Sequence, residues 1–181
     1  MLSMTEKELI EGALKGKPAS QRGLFDRYAP TLMAVCLRYC RTRTEAEDAL
    51  QESFMRIFDK LGQYNFQGSF EGWVRRLCVN VCLRTYQRKR STHEQTGLET
   101  VPESAMDPSA FSRLGEQELL DMVASLPEGY RIVFNLYAIE GYSHKEIGET
   151  LGIQEASSRS QLLKARKLLQ QKIKKSQRIA I

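Results

Sequence analysis

Along this 181-residue chain the apolar residues recur at intervals of three and four, not two. That spacing places them on one face of a helix with 3.6 residues per turn. Leu24, Tyr28, Leu32, Val35 and Tyr39 form one stripe; Leu50, Phe54, Ile57 and Leu61 form a second; Phe70, Val74, Leu77 and Val81 form a third. Later, Ile132, Leu136 and Ile139 are followed by Ile147 and Leu151, then by Leu162, Ala165 and Leu169. No strand-like alternation persists, so the pattern predicts an all-α protein. Helix starts are marked by a hydroxyl followed three residues later by Glu: Thr5 with Glu8, Thr44 with Glu47, and Ser143 with Glu146. In such a box the hydroxyl accepts from an orphan N–H and the Glu reaches back to the cap. Ser69 is placed to cap the helix that begins at Phe70.

Charge then divides the chain. The net charge of +5 is the sum of +6 over residues 1–90, −5 over residues 91–118 and +4 over residues 119–181. The acidic middle segment holds Pro102 and Pro108, two glycines and few large apolar residues. That is a linker composition, with a flexible span of about 30 Å. Two small helical domains, 1–90 and 119–181, joined by a flexible acidic linker at 91–118, are therefore expected. The longest apolar run is Leu32 to Leu37, too short to span a bilayer. The N-terminus has no apolar core of a secretory signal, so a cytoplasmic protein without membrane insertion is expected.

The segment Ser143 to Gly152 reads as a short capped helix closed by a glycine, followed by a longer basic helix from about Glu155 to Leu169. Together these form a helix-turn-helix. With Leu162, Ala165 and Leu169 inward, Arg159, Ser160, Leu163, Lys164, Arg166 and Lys167 face outward. Ser157 and Ser158 sit at the N-terminal end, where such helices meet base edges. Leu163 suits a thymine methyl. The competing reading is a helical bundle with a solvated basic face.

In the first domain, a turn-rich loop carries Tyr64, Asn65, Phe66 and Gln67. The helix after it carries Arg76, Asn80, Arg84 and Arg88 four residues apart, with Arg75 and Gln87 beside them. A cationic track next to rings suits unpaired nucleic acid, because cations follow phosphates and rings stack on bases. The same stripe would also serve as a solvated face over core aromatics, and Trp73 reads as core. The preceding helix has an acidic outer face of Asp48, Gln51, Glu52, Met55 and Asp59. An acidic face repels nucleic acid, so any partner there is a protein.

The cysteines fall in two pairs at i,i+4, Cys36 with Cys40 and Cys78 with Cys82. They read as reduced, mostly buried thiols, with a four-thiolate zinc site over two helices as the competing reading. No metal and no cofactor is therefore expected. With two histidines, His93 and His144, and no nucleophile elbow, phosphate loop or zinc-protease motif, no enzyme is expected either.

Four stretches in this order resemble a known family: Glu45 to Phe54, Phe70 to Asn80, Leu126 to Phe134, and Tyr142 to Ile153. They are similar to bacterial RNA polymerase sigma factors of the extracytoplasmic-function group, over about residues 10–172. The resemblance implies two helical domains, the first being sigma domain two and the second sigma domain four. It implies that Asp48, Gln51, Glu52 and Met55 grip core RNA polymerase. It implies that Tyr64, Asn65, Phe66, Gln67, Arg75, Arg76, Asn80 and Arg84 meet the melted minus-ten element of promoter DNA, with one base flipped out. It implies that Ser157, Ser158, Arg159, Ser160, Leu163, Lys164 and Lys167 read the minus-thirty-five duplex. An anti-sigma factor is a further implied partner. The chain departs from many relatives at Gln67, Gln154 and Gln161. The alternative is an ordinary helix-turn-helix regulator acting without polymerase, which accounts for residues 119–181 but not for the loop and basic stripe before them.

Overall fold

Thr5 opens the first helix by accepting from the Glu8 N–H, while the Glu8 carboxylate accepts from the Thr5 N–H at 2.7 Å. The computed structural model describes residues 4–96 and 116–179. Among these there are helices and turns and no strand. They belong to two compact units, Met1–Arg88 and Lys89–Ile181.

In the first unit, α1 (Glu6–Leu14) packs on α2 (Pro18–Tyr39), and α2 packs on α3 (Arg43–Lys60). A tight turn over Leu61–Gln63 and a loop lead to α4 (Phe70–Thr96). The stripe from Leu24 to Tyr39 is buried throughout, as are Phe54, Ile57, Leu61, Phe70, Val74 and Val81, whereas Leu50 and Leu77 are half-buried. The Tyr28 hydroxyl donates to the Glu6 carboxylate, tying α1 to α2. Its ring meets Phe70 edge-on at 5.4 Å, a geometry that sets a ring edge against a ring face. One cap differs from expectation. α3 begins two residues before the Thr44 box, and its cap is Thr42, which accepts from the Glu45 N–H at 3.2 Å.

The second unit holds α5 (Glu116–Ala124), α6 (Glu128–Phe134), α7 (His144–Leu151) and α8 (Glu155–Ile179). Met122, Val123 and Leu126 pack against Ala165 and Leu169. Buried Arg131 donates to the Ala124 carbonyl at 3.2 Å, placing a cation at the negative end of α5. A π-type turn over Asn135–Ile139 follows α6, with the Glu140 N–H bonded to the Asn135 carbonyl at 3.0 Å. This wider turn leaves Ile139 exposed, contrary to its place in the expected stripe. The Ser143 and Glu146 box is present, and the Ser143 N–H and hydroxyl hold the Glu146 carboxyl below its usual range.

The ends of the acidic segment are helical, because α4 continues to Thr96 and α5 starts at Glu116. The charge boundaries at 90 and 118 thus fall inside helices; residues 97–115 lie outside the described residues.

Gly152 ends α7 at φ 66°, ψ 37°, a left-handed conformation that glycine adopts without strain. Gly148 serves a different purpose. A Cβ there would lie 2.8 Å from the Ile153 carbonyl oxygen, and the Ile153 N–H bonds back to the Gly148 carbonyl at 3.0 Å. Gly148→Ala should therefore destabilise the second unit by about 1–3 kcal/mol, despite alanine's better helix propensity. By contrast a Cβ at exposed Gly72 meets only the Ser69 Cβ, at 3.8 Å, so Gly72→Ala should stabilise by about 0.5–1 kcal/mol. Thermal unfolding of both variants checks the opposite signs.

Candidate nucleic-acid and protein interfaces

Tyr64 shapes the loop of the first unit. Its hydroxyl donates to the Gly68 carbonyl at 2.9 Å, and its ring lies 5.0 Å from Phe70, 5.5 Å from Trp73 and 5.2 Å from Phe66. Tyr64 is buried, so it forms the floor of the loop and offers no free face for stacking. Trp73, expected in the core, is half-buried and lies against Phe70 and Tyr64. The ring offered to solvent is Phe66, which is 49% exposed at φ 59°. A bulky residue in the left-handed region costs of order 1–3 kcal/mol, and it persists because the surroundings hold it. Here the Asn65 side chain accepts from the Gln67 N–H at 3.1 Å, closing an Asx turn around Phe66.

Ser69 ends the loop by capping α4, its hydroxyl accepting from the Gly72 N–H at 3.3 Å. Arg76, Asn80 and Arg84 are exposed on successive turns, and Arg75 is half-buried beside them. The track rises about 6 Å per four residues, comparable to phosphate spacing along an extended strand. On α3, Asp48, Gln51 and Met55 are exposed and Glu52 is half-buried, its carboxylate accepting from Arg56 at 2.8 Å. Met55 is 70% exposed. A methionine left in water on an acidic face is a flexible, adaptable apolar surface. Phe25, absent from every stripe, is exposed at one edge and rests on Phe54 at 4.6 Å. No periodicity marks it, because it borders the buried face of α2 without belonging to it.

In the second unit the outward face of α8 carries Arg159, Ser160, Leu163, Lys164, Arg166 and Lys167, all exposed. Leu163 is 70% exposed. Ser157 is half-buried, and Ser158 departs from expectation. Ser158 is fully buried, with its hydroxyl 2.9 Å from His144 Nδ1, so it joins α8 to the start of α7 and cannot touch a base edge. His144 stacks on Tyr137 at 4.6 Å, and Arg166 lies over the same Tyr137 ring at 5.6 Å. Sequence reasoning missed this clip. Its signal was a histidine at the first helical position and a serine fourteen residues later, which says nothing without the turn between them.

Burial lowers the pKa of His144, and the nearby Arg159 and Arg166 add to the effect against an opposing pull from Glu155. A histidine depressed in the folded state stabilises fully above its unfolded pKa near 6.5, and that contribution fades as pH falls below it. The second unit should thus weaken on acidification below about pH 6.5. NMR titration should place the His144 midpoint below that of a histidine in a short peptide, and His144→Asn should flatten the acid side of the stability profile.

Arg159 is paired with Glu155 one turn earlier. An exposed pair of this kind is worth about 0.2–1 kcal/mol. Glu155→Gln should release the guanidinium and remove a repelled charge, tightening duplex binding by about two- to fivefold at low salt. Fluorescence anisotropy at two ionic strengths checks both the gain and its loss on screening.

Two family models match the chain in order: "Sigma-70 region 2" over residues 24–92 and "Sigma-70, region 4" over residues 116–169. The chain is 33% identical over 156 residues to the ECF RNA polymerase sigma factor SigE of Mycolicibacterium smegmatis, covering 81% of this chain and 58% of that protein. It is 26% identical over 186 residues to the ECF RNA polymerase sigma-E factor of Haemophilus influenzae, covering 94% and 96%. Among solved structures, the sigma factor RpoE of Bartonella quintana, crystallised with the anti-sigma factor NepR, matches with a TM-score of 0.53 at 19% identity, over 84% of this chain and 96% of that one. That likeness concerns the fold.

Proposed function

We propose a division of labour for a chain that belongs to the sigma-70 family, in its extracytoplasmic-function group. As a sigma factor it binds core RNA polymerase and directs it to promoters. Its first unit handles opened strands and its second unit handles closed duplex. The acidic outer face of α3, with Asp48, Gln51, Glu52 and Met55, is the polymerase grip. Phe66, Asn65 and Gln67 at the loop tip receive an extruded base, with Tyr64 as the floor behind them. Arg76, Asn80 and Arg84 then follow the unpaired strand, with Arg75 alongside. In the second unit Arg159, Ser160, Leu163, Lys164 and Lys167 enter the major groove of the upstream element, and Ser157 flanks them. Ser158 positions the recognition helix from inside through His144.

One observation carries this reading. Both units turn a cationic helix face to solvent, and in the first unit that face begins at a loop that exposes a ring at a strained position. A sigma factor has no bond to make or break in its own residues, so these faces supply binding and strand separation while the chemistry belongs to the polymerase. We extend to this chain two further features of the group. Its place is the cytoplasm, where the polymerase works; no helix among the described residues is long and apolar enough to cross a membrane. Its inhibitor is an anti-sigma factor, the class of partner crystallised with the Bartonella quintana relative.

Run-off transcription with purified core polymerase tests the whole reading. Adding the chain should create defined start sites on genomic fragments, and Asp48→Arg should abolish both core capture and transcripts. Asn80→Ala should impair transcription from closed promoters far more than from a template with a pre-melted bubble. Arg159→Ala should lower output by about one to two decades without loss of core binding. Unaltered start sites in the presence of the chain, or tight duplex binding that needs no polymerase, would favour the ordinary regulator instead.

A further inference from the structure

The cysteines converge on one place in the first unit. Cys36 on α2 and Cys78 on α4 bring their sulfurs to 3.4 Å. The sulfurs of Cys36, Cys78 and Cys82 all lie within 4.8 Å of one another, and all three residues are buried. Cys40, half-buried at the end of α2, has its thiol within hydrogen-bonding reach of Cys82. The two i,i+4 pairs therefore bring three sulfurs together in one seam between two helices, with half-buried Cys40 at its edge.

Four thiolates around zinc at about 2.3 Å form a tetrahedron whose edges are about 3.8 Å. The Cys36–Cys78 separation of 3.4 Å falls just short of that edge and the other two are at most 4.8 Å, so small side-chain rotations bring them to it. The fourth ligand sits where the ion can enter, since Cys40 is partly open and leads into the exposed Arg41 and Thr42. Burial of the other three excludes water from the ion, as in closed structural sites. Four thiolates exceed the ion's charge by two. Arg38 acts on Cys78 through its charge, providing a cation at the cluster. If the thiols served only as small apolar fillers, nothing would require three sulfurs to meet.

We propose that Cys36, Cys78 and Cys82, completed by Cys40, form a structural zinc site that pins α2 to α4. Each ligating thiol gives up its proton as the ion binds, so occupancy strengthens with pH. The site lies behind the helix that carries Arg76, Asn80 and Arg84, but its existence does not depend on what that helix contacts.

Metal analysis of the full chain, purified under reductant without chelator, tests the site directly. About one zinc ion per chain is expected. Cobalt added to the stripped, reduced chain should give the intense visible bands of a tetrahedral thiolate complex. Chelation should lower the thermal midpoint of the first unit. The double variant Cys78→Ser with Cys82→Ser should retain less than about a tenth of the zinc. Should that variant fail to fold, Cys40→Ser is read instead. It changes a half-buried terminal residue, and it should speed zinc loss to a chelator by at least about tenfold. A folded, fully reduced wild-type chain that holds neither zinc nor cobalt overturns the proposal and leaves packing thiols. So does an intact mass lower by two hydrogens, which would mean a disulfide among the four cysteines.

Discussion

The seam between α2 and α4 governs what the first unit can present. At one end the Tyr28 and Phe70 rings meet edge to face at 5.4 Å; at the other the Cys36 and Cys78 sulfurs touch at 3.4 Å. Between them Cys78 also faces the Leu32 carbonyl. This strip fixes the rotation of α4 about its own axis. Once Phe70, Val74, Cys78 and Val81 are committed inward, geometry leaves Arg76, Asn80 and Arg84 no choice but to face out. A turn of α4 by one residue, about 100°, would bury arginines and expose a valine edge, at several kcal/mol per buried unpaired charge. The cationic face of α4 is thus the complement of a well-packed interior.

The second unit solves the same problem with polar groups. A recognition helix must expose its cationic face while something holds its N-terminal end at a fixed angle to the preceding helix. The apolar grip of Leu162, Ala165 and Leu169 secures the middle of α8. The buried Ser158 hydroxyl against His144 secures the end, and the close approach of Gly148 to Ile153 sets the turn between them. A hydrogen bond is directional, so it fixes orientation where a single apolar contact would allow rocking. The cost of burying the serine hydroxyl is offset by that bond.

Electrostatics complement this arrangement. The two units are basic and the intervening segment is acidic. A basic face gains affinity for nucleic acid by releasing counterions, without regard to sequence. An acidic face on α3 and an acidic connection keep that nonspecific attraction off the rest of the chain, which suits a protein whose specificity depends on a larger partner. Exposed Met55, Phe66 and Leu163 are the apolar exceptions on these polar faces.

Helical periodicity was sufficient to read the interior. Of the residues placed in stripes, most are buried, and two of the three capping boxes form where the pattern puts them. The basic faces of α4 and α8 were legible for the same reason, since they are what remains when the apolar positions turn inward. Tertiary structure decided what periodicity cannot encode. Tyr64 turned inward because its hydroxyl found the Gly68 carbonyl and its ring found Phe70 and Trp73. Ser158 turned inward because His144 reached it across the turn, and Ile139 was displaced outward by a wider helical turn before it. Spacing within one helix tells which residues share a face. Only the packing of one helix on another tells which faces meet, and so which sulfurs come together.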